Sequence, residues 1–210
     1  MKAKVRILGR ANSFNVRKVL WVCDEIGLQW EREDWGRGYR PTDDPEFLEV
    51  NPIGLVPAVL VDGHALRESN TIVRYLTTRY GPEELYPRDP LARARAEQWM
   101  DWANYETSIS LRGAFLGGQL NEAPWNNGWF IAQGREDITR QVGQLDAHLE
   151  GTGPYITGER FTVGDIPAGL VVNRWFHLDF DRPDFTNVAR YYETLSQRPA
   201  YMTHVRNGLP

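Results

Sequence analysis

The sequence predicts a small α/β domain followed by an all-α domain. Strand-like and helix-like patterns alternate over residues 1–80, whereas only helical periodicity of useful length is found after residue 90. The segment 81–90 contains three prolines and one glycine, which is typical of a domain boundary. A chain of 210 residues is long enough for a small α/β unit and a helical unit.

The first part of the chain predicts a β-α-β unit. Residues 5–8 predict a strand, and residues 15–26 predict a helix whose apolar side chains recur at i, i+3, i+4 and i+7. Cys23 belongs to that apolar face, so we expect it in the core. Gly27 provides a C-terminal stop, and the alternation over 29–35 predicts a second strand, followed by a polar loop.

A β-β-α unit follows. Residues 59–61 and 65–67 flank Asp62-Gly63, a strong two-residue turn signal, and therefore predict a hairpin. Apolar residues over 72–76 mark the helix that closes this half. The complete order, β-α-β and then β-β-α, is that of thioredoxin.

The second half predicts four helical segments, over residues 91–116, 129–149, 163–176 and 187–197. Before the third segment, Thr162 and Asp165 have capping-box spacing, and Phe161 and Ile166 have the spacing of a hydrophobic staple. We expect removal of the Thr162 hydroxyl to cost about 1 kcal/mol or more of stability.

The net charge argues against one functional class, and the local charge leaves two readings open. The net charge of −4 argues against general nucleic-acid binding. Residues 1–40 nevertheless carry nine basic and five acidic side chains, so the rest of the chain carries −8. This local positive charge either favours an anionic ligand or is an ordinary solvated surface.

The sequence predicts a cytoplasmic protein that has no membrane span and binds neither a metal nor a nucleotide. Residues 1–6 lack the apolar run of a signal peptide, and no segment approaches the ~20 apolar residues of a membrane span. Cys23 is the only cysteine, which excludes an internal disulfide and a cysteine metal cluster. The four histidines lack metal-ligand spacing, and no phosphate-binding glycine loop is present.

Pro57 directly precedes the apolar run of residues 58–61. A proline that enters a strand indicates an edge, a bend or a cis bond. A cis bond would turn the Val56 amide and carbonyl outward, where an extended peptide could pair with them as an additional strand.

Glu68 and Ser69 would meet the other end of such a peptide. Ser69 lies where the closing helix begins, so its hydroxyl and the free amides of the first turn could hold a carboxylate. Glu68 suits an ammonium group. A peptide ligand that carries a carboxylate and an ammonium on one carbon is glutathione.

These motifs identify a family. The chain resembles the cytosolic glutathione S-transferases from about residue 5 to about residue 198, through Asn-Pro-x-Gly-x-Val-Pro at 51–57 and Glu68-Ser69 eleven residues later. Leu55 stands where many members have lysine, and Asn70 replaces a commoner small residue. The resemblance assigns glutathione binding to Leu55 and to the clamp residues Val56, Pro57, Glu68 and Ser69.

The resemblance also implies the domain roles. Residues 1–80 would form a thioredoxin-like glutathione-binding domain, 81–90 a linker, and 91–210 an all-helical domain that forms the second-substrate site. It implies a homodimer that uses glutathione as co-substrate with a small electrophile or disulfide. Along the first helix of the second domain, Tyr105 and Arg112 are candidates for the second-substrate pocket, and Asp101 resembles the acidic residue that reaches the neighbouring subunit's γ-glutamyl amine.

Thiol activation requires a donor beside the sulfur. A thiol with a pKa near ~8.5 becomes a thiolate at neutral pH only if its anion is stabilised. In the family this donor comes from the loop corresponding to residues 9–16, which here contains neither tyrosine nor cysteine. By resemblance this excludes the tyrosine-type and the cysteine-type enzymes.

Ser13 and Asn15 remain as catalytic candidates. Both lie at the start of the predicted helix, where backbone amides and the helix dipole favour an anion. Ser13 is the first choice, since it matches the serine of theta-like bacterial enzymes. Either side chain could instead be a simple helix cap.

Three functions remain open. The leading hypothesis is a glutathione transferase that attacks an electrophile. The Ser-x-Asn spacing resembles the nu class and would imply a glutathione-dependent disulfide reductase. The third is a non-catalytic transferase-like binding module. The maleylacetoacetate isomerase branch is disfavoured, because its serine- and cysteine-rich loop is missing.

Overall fold

The computed structural model describes residues 4–208, which form two compact units. The first unit contains the chain up to Tyr86 together with residues from Pro199 onward, and the second contains Pro87–Arg198. Among the described residues, no helix is both long and apolar enough to cross a membrane.

The first unit is built on a four-stranded sheet in the order β2-β1-β3-β4. Its elements are β1 Lys4–Leu8, α1 Phe14–Glu25, β2 Gln29–Glu33, α2 Pro45–Val50, β3 Ala58–Val61, β4 His64–Arg67 and α3 Ser69–Tyr80. Strand β1 pairs in parallel with β2 and antiparallel with β3, which pairs antiparallel with β4. The predicted β-α-β, β-β-α order is confirmed.

Helix α2 interrupts the segment that the sequence predicts as a polar loop. It starts with Pro45 in its first turn, and the Asp44 carboxylate caps it by accepting a 2.9 Å hydrogen bond from the Glu46 N–H. Its Phe47 is fully buried in a cluster with Leu8, Trp35 and Ala58. Six residues contain too few turns for a periodic pattern, which is why the helix escapes sequence analysis.

Helix α1 buries one continuous stretch, residues 16–23. Cys23 is completely buried, as the apolar pattern predicts. Burial raises the pKa of its thiol, so this cysteine is a core residue without thiolate character.

The end of the chain returns to the first unit as α9 Pro199–His204. The ring centroids of Tyr201 and Trp21 lie 4.8 Å apart. His204 Nε2 lies 2.6 Å from Asp24 Oδ2. The predicted second domain, 91–210, differs from this division because Tyr201 completes the core beside α1. The apolar pattern of six residues carries no information about which unit they join.

The regular elements of the second unit are helices, and one of its loops contains an isolated bridge between Tyr155 and Gly158. Its elements are α4 Pro90–Asp101, π1 Trp102–Glu106, α5 Thr107–Leu111, π2 Arg112–Gly117, α6 Gly128–Thr152, α7 Asp165–Phe176 and α8 Thr186–Leu195. The first four form one continuous helical stretch, as the sequence predicts, but two π-helical segments interrupt its α-helical geometry. The π2 segment packs against α6 through glycines, including Gly113 and Gly134.

Half of the predicted capping box forms before α7, because the Asp165 carboxylate accepts the Thr162 N–H, but the Thr162 hydroxyl does not cap the Asp165 N–H. The Thr162 hydroxyl donates to Asp165 Oδ2 at 3.2 Å, while the Asp165 N–H donates to the Thr162 carbonyl. The Asp165 carboxylate also accepts the N–H groups of Ile156 and Thr162 and the Tyr191 hydroxyl. The aspartate, and not the threonine hydroxyl, is therefore the principal acceptor at this corner.

Candidate active site

One cleft of the first unit collects most of the residues that the sequence selects. Its lining comprises Asn15, Asn51, Ile53, Leu55, Val56, Pro57, Arg67, Glu68 and Ser69. All five first-unit residues predicted to bind the peptide ligand are present, together with one of the two catalytic candidates. No group of three or more histidines, cysteines, aspartates or glutamates in residues 4–208 is arranged to hold a metal.

The Val56–Pro57 peptide bond is cis, which is one of the options left open by the sequence. The ladder of β3 ends at Ala58, two residues after Val56. None of the hydrogen bonds between described residues uses the Val56 amide or carbonyl. This short backbone segment is therefore available to an extended peptide.

Asn51 holds the loop that precedes this segment. Its Nδ2 donates a 2.7 Å hydrogen bond to the Leu55 carbonyl, and its Oδ1 accepts a 3.2 Å hydrogen bond from the Ile53 N–H. Asn51 is 2% exposed, so these bonds satisfy a buried amide. Sequence analysis gave Asn51 no role, although an asparagine that bonds to the backbone two residues later is a known turn signal.

Glu68 has an unusual backbone conformation, with φ 64° and ψ 109°. A residue with a side chain adopts positive φ only at a cost, and such positions concentrate at binding sites. Glu68 is exposed at the edge of the cleft, whereas Ser69, the first residue of α3, is buried. The carboxylate of Glu68 and the N-terminal amides of α3 thus meet at one end of the cleft.

A chain of hydrogen bonds runs behind that end of the cleft. Lys18 Nζ lies 3.3 Å from Ser69 Oγ, which donates to Asn15 Oδ1 at 3.2 Å. Lys18 is completely buried, and desolvation lowers its pKa to about 7, while the nearby charge of Glu68 opposes the shift. Sequence analysis missed Lys18, because a lysine in an amphipathic helix usually faces solvent.

Ser13 occupies the N-cap position of α1, is 7% exposed and makes no side-chain capping hydrogen bond. The capping role considered for its side chain is therefore not observed. Ser13 is not part of the cleft lining, whereas Asn15 in the first turn of the same helix is. The two catalytic candidates thus differ in position. Asn15 lines the cleft with the clamp residues, whereas Ser13 lies at the N-terminus of α1 outside the cleft lining.

The remaining candidates belong to the second unit. Asp101 is exposed at the end of α4, and Tyr105 is 71% exposed within π1. Arg112 begins π2 and places its guanidinium carbon 5.1 Å from the ring centroid of Trp125. Tyr105 and Arg112 therefore both lie in π-helical segments, which are frequent at functional sites.

Comparison with protein-family models gives two matches. Residues 3–78 match the model of the glutathione S-transferase N-terminal domain, and residues 131–199 match that of the C-terminal domain. Glutathione S-transferase GstB of Escherichia coli (strain K12) is 35% identical over 198 residues, which cover 93% of this chain and 95% of that protein.

Solved structures agree. The theta class glutathione S-transferase of Xanthomonas axonopodis pv. citri with glutathione bound has a TM-score of 0.90 and 35% identity, covering 98% of this chain and 99% of that chain. A second relative, found by sequence, is elongation factor 1-gamma 2 of Oryza sativa subsp. japonica, which is 30% identical over 168 residues, 75% of this chain and 38% of that protein.

Proposed function

The chain belongs to the glutathione S-transferase family and is an enzyme of that family, and we propose that it binds glutathione in the cleft of its first unit and activates the thiol as a thiolate. One observation carries the proposal. The open backbone of Val56, the Glu68-Ser69 corner and the Asn15 side chain border the same cleft. That arrangement suits an extended peptide whose thiol end lies near the start of α1.

Each end of glutathione would have a matching group. The cysteinyl backbone would pair with the Val56 amide and carbonyl next to Pro57 and Leu55. The γ-glutamyl carboxylate would meet the N-terminal amides of α3 at Ser69, and its ammonium would meet the carboxylate of Glu68. The bound structure of the Xanthomonas relative supports glutathione as the ligand.

The thiol would be activated from the start of α1. Ser13 has a hydroxyl that is not used for capping, and Asn15 has an amide at the cleft. We assign Ser13 as the first donor to the sulfur and Asn15 as the second. The stabilised thiolate attacks an electrophilic carbon, a carbon–sulfur bond forms, and the leaving group departs with its bonding electrons.

The second unit would supply the electrophile site. Tyr105 and Arg112 offer an exposed phenol and a guanidinium from two π-helical segments of one helical stretch. Asp101 would contact the ligand ammonium of a neighbouring subunit in a homodimer. Sedimentation of the wild-type protein and of Asp101→Asn, with glutathione binding measured on both, tests that assignment.

Titration with glutathione across pH, followed by thiolate ultraviolet absorbance, tests the thiol assignment. The wild-type protein should hold a thiolate near neutral pH, and Ser13→Ala should raise the pH at which it appears. A larger effect of Asn15→Ala would reverse the order of the two donors. A wild-type protein that binds no glutathione would contradict the proposed function and favour a non-catalytic module.

The second candidate is glutathione-dependent disulfide reduction, favoured by the position of Asn15 at the cleft in a Ser-x-Asn pair. One glutathione thiolate would attack the disulfide and release one thiol, and a second glutathione would resolve the mixed disulfide to glutathione disulfide and the other thiol. Both sulfurs would come from glutathione, since Cys23 is buried and has a raised thiol pKa. Rapid turnover of a model disulfide with slow conjugation of an aryl halide would establish the reductase. The opposite pattern would establish the transferase.

A further inference from the structure

Arg112 carries a charge that no carboxylate of the described chain balances. The residue is exposed, and its side chain makes no hydrogen bond or ion pair with any residue from 4 to 208. Residues 1–40 carry +4 of a net charge of −4, so the rest of the chain carries −8 and carboxylates are abundant there. An arginine that has no carboxylate partner in such surroundings keeps its N–H donors for another anion.

The guanidinium of Arg112 lies against an aromatic ring instead. Its central carbon is 5.1 Å from the ring centroid of Trp125, which is within the range of a cation–π interaction. Such a contact uses the face of the guanidinium and leaves the N–H groups at its edge, which match the two oxygens of a carboxylate. Trp125 therefore holds Arg112 in place without using the donors that a ligand anion needs.

The Trp125 ring is itself held by two contacts. A Cβ atom on Gly117 would collide with the Trp125 carbonyl, so glycine is needed for this loop to pack closely on π2. The Phe130 ring packs edge-to-face against Trp125, with centroids 5.0 Å apart and an interplanar angle of 67°. Segment π2 thus provides both Arg112 and the glycine that seats Trp125. The pair is formed before any ligand binds, which lowers the entropic cost of binding.

A second guanidinium–aromatic pair shows what a purely structural role looks like. The guanidinium carbon of Arg174 lies 3.6 Å from the ring centroid of Phe115. These two residues are 7% and 8% exposed, so their contact belongs to the core of the second unit. Arg112 is exposed and Trp125 is half-buried, so their contact contributes little to the core and remains open to a ligand.

An aromatic surface accompanies the charge of Arg112. Trp129, in the first turn of α6, is 70% exposed. The Phe130 ring contacts both tryptophans, with centroids 5.0 Å from Trp125 and 5.6 Å from Trp129. Aromatic rings pack favourably on one another, beyond the area that they bury. The arrangement therefore suits a ligand that has an aromatic ring as well as a carboxylate.

We infer that the electrophile of this enzyme is an aromatic compound with a carboxylate substituent, and that Arg112, held on Trp125, selects it. This inference rests on the proposed function, because it places Arg112 in the second-substrate site of a glutathione transferase. The carboxylate would accept two hydrogen bonds from the guanidinium edge. The reaction is the proposed one: the glutathione thiolate forms a carbon–sulfur bond to the ring, and the leaving group departs with its bonding electrons.

The test compares chlorodinitrobenzene with chlorodinitrobenzoate, two aryl chlorides that differ by one carboxylate, at saturating glutathione. Arg112→Gln should raise the KM for the benzoate about ten-fold or more and the KM for the neutral chloride less than about three-fold. Arg112→Lys keeps the charge but loses the fork of donors, so its KM for the benzoate should lie between those of the wild type and Arg112→Gln.

Two further variants examine the pair and the charge. Trp125→Leu should weaken the selection of the benzoate, and it should do so only while Arg112 is present, because the two side chains act as one unit. Arg140→Gln is the matched control, since Arg140 is an exposed arginine of α6 that pairs with Asp137. It should leave the ratio of the two KM values unchanged.

Two results would overturn the inference. Equal increases of both KM values in Arg112→Gln would show that the arginine shapes the site without binding the carboxylate. An equal loss of benzoate selection in Arg140→Gln would show that only the overall charge of the protein matters. Because Arg112 is exposed, its variants should fold, and thermal unfolding checks this.

The wild-type protein separates the inference from the proposed function. If it conjugates both aryl chlorides and the ratio of their KM values does not depend on Arg112, the transferase stands and only the inference fails. If it binds no glutathione, or binds it and conjugates neither aryl chloride, the proposed transferase and the inference fail together.

Discussion

The Tyr191 hydroxyl donates a 2.8 Å hydrogen bond to Asp165 Oδ1 and thereby ties α8 to the first turn of α7. The same carboxylate accepts the Ile156 N–H at 2.9 Å and the Thr162 N–H at 2.7 Å. Asp165 is completely buried, so this single carboxylate joins three segments of the second unit without contact with water.

This carboxylate should make stability depend on pH. Burial raises the pKa of Asp165 from 3.8 to about 6, although its hydrogen bonds oppose the shift. Between about pH 4 and pH 6 the folded state keeps a proton that the unfolded state has lost. The stabilisation is fully present below about pH 4 and is lost as the pH rises through about 6.

Asp165→Asn should remove this part of the pH dependence, which is on the order of 2–3 kcal/mol. Denaturant unfolding at several pH values from about 4 to about 7 measures it. The amide should also lower stability throughout, because its NH₂ group cannot accept the surrounding donors. Asp181→Asn, at an exposed position, is the control, and an unchanged slope in Asp165→Asn would contradict the assignment.

Gly134→Ala should destabilise the second unit by about 1–3 kcal/mol. A methyl group at this position would lie 2.7 Å from the Ala114 nitrogen and the Ser110 carbonyl oxygen, which are backbone atoms that cannot rotate away. Gly151→Ala on the same helix meets nothing within 4 Å and should be neutral or slightly stabilising. Equal thermal midpoints for the two variants would show that α6 can move away from its neighbour at little cost.

Asn51→Ala should weaken glutathione binding more than turnover. The substitution removes the bonds to the Leu55 carbonyl and the Ile53 N–H, so the loop before Val56 loses its fixed form. We expect the KM for glutathione to rise about three- to ten-fold with kcat changed less. Steady-state kinetics at varied glutathione would check this. A fall in kcat at constant KM would instead place Asn51 in the chemistry.

Lys18→Met should stabilise the folded protein at neutral pH, because it removes a completely buried ammonium group. The lowered pKa of Lys18 means that the folded state binds fewer protons than the unfolded state between about pH 7 and its ordinary value of 10.5. The cost of the buried charge is greatest below pH 7 and decreases as the pH rises through that interval. Thermal unfolding at pH 6 and pH 9 should show a gain of about 1–4 kcal/mol that is larger at the lower pH.

The sequence predicted the order of strands and helices in the first unit, and it named residues that the structure brings to one cleft, because their signals are local. A two-residue turn, a proline before a strand and a Glu-Ser pair at a helix start each carry their own geometry. Helix α2 and helix α9 escaped because six residues are too few for a periodic signal. The boundary at residue 91 therefore separated α9 from the unit that it completes.

The hydrogen bonds that join Lys18, Ser69 and Asn15 could not be predicted from the sequence. Lys18 and Ser69 are 51 residues apart, and only the packing of α1 against α3 brings them together. The same holds for the hydrogen bond of Asn15, whose side-chain oxygen accepts from Ser69 on another helix. Sequence patterns place each side chain on an element, but they do not state which polar atoms meet across two elements.

The return of α9 to the first unit has a consequence for the order of synthesis. The core beside Trp21 lacks Tyr201 until the whole second unit has left the ribosome, which takes roughly ten seconds at ~5–20 residues per second. During that interval the first unit exists with one aromatic surface uncovered.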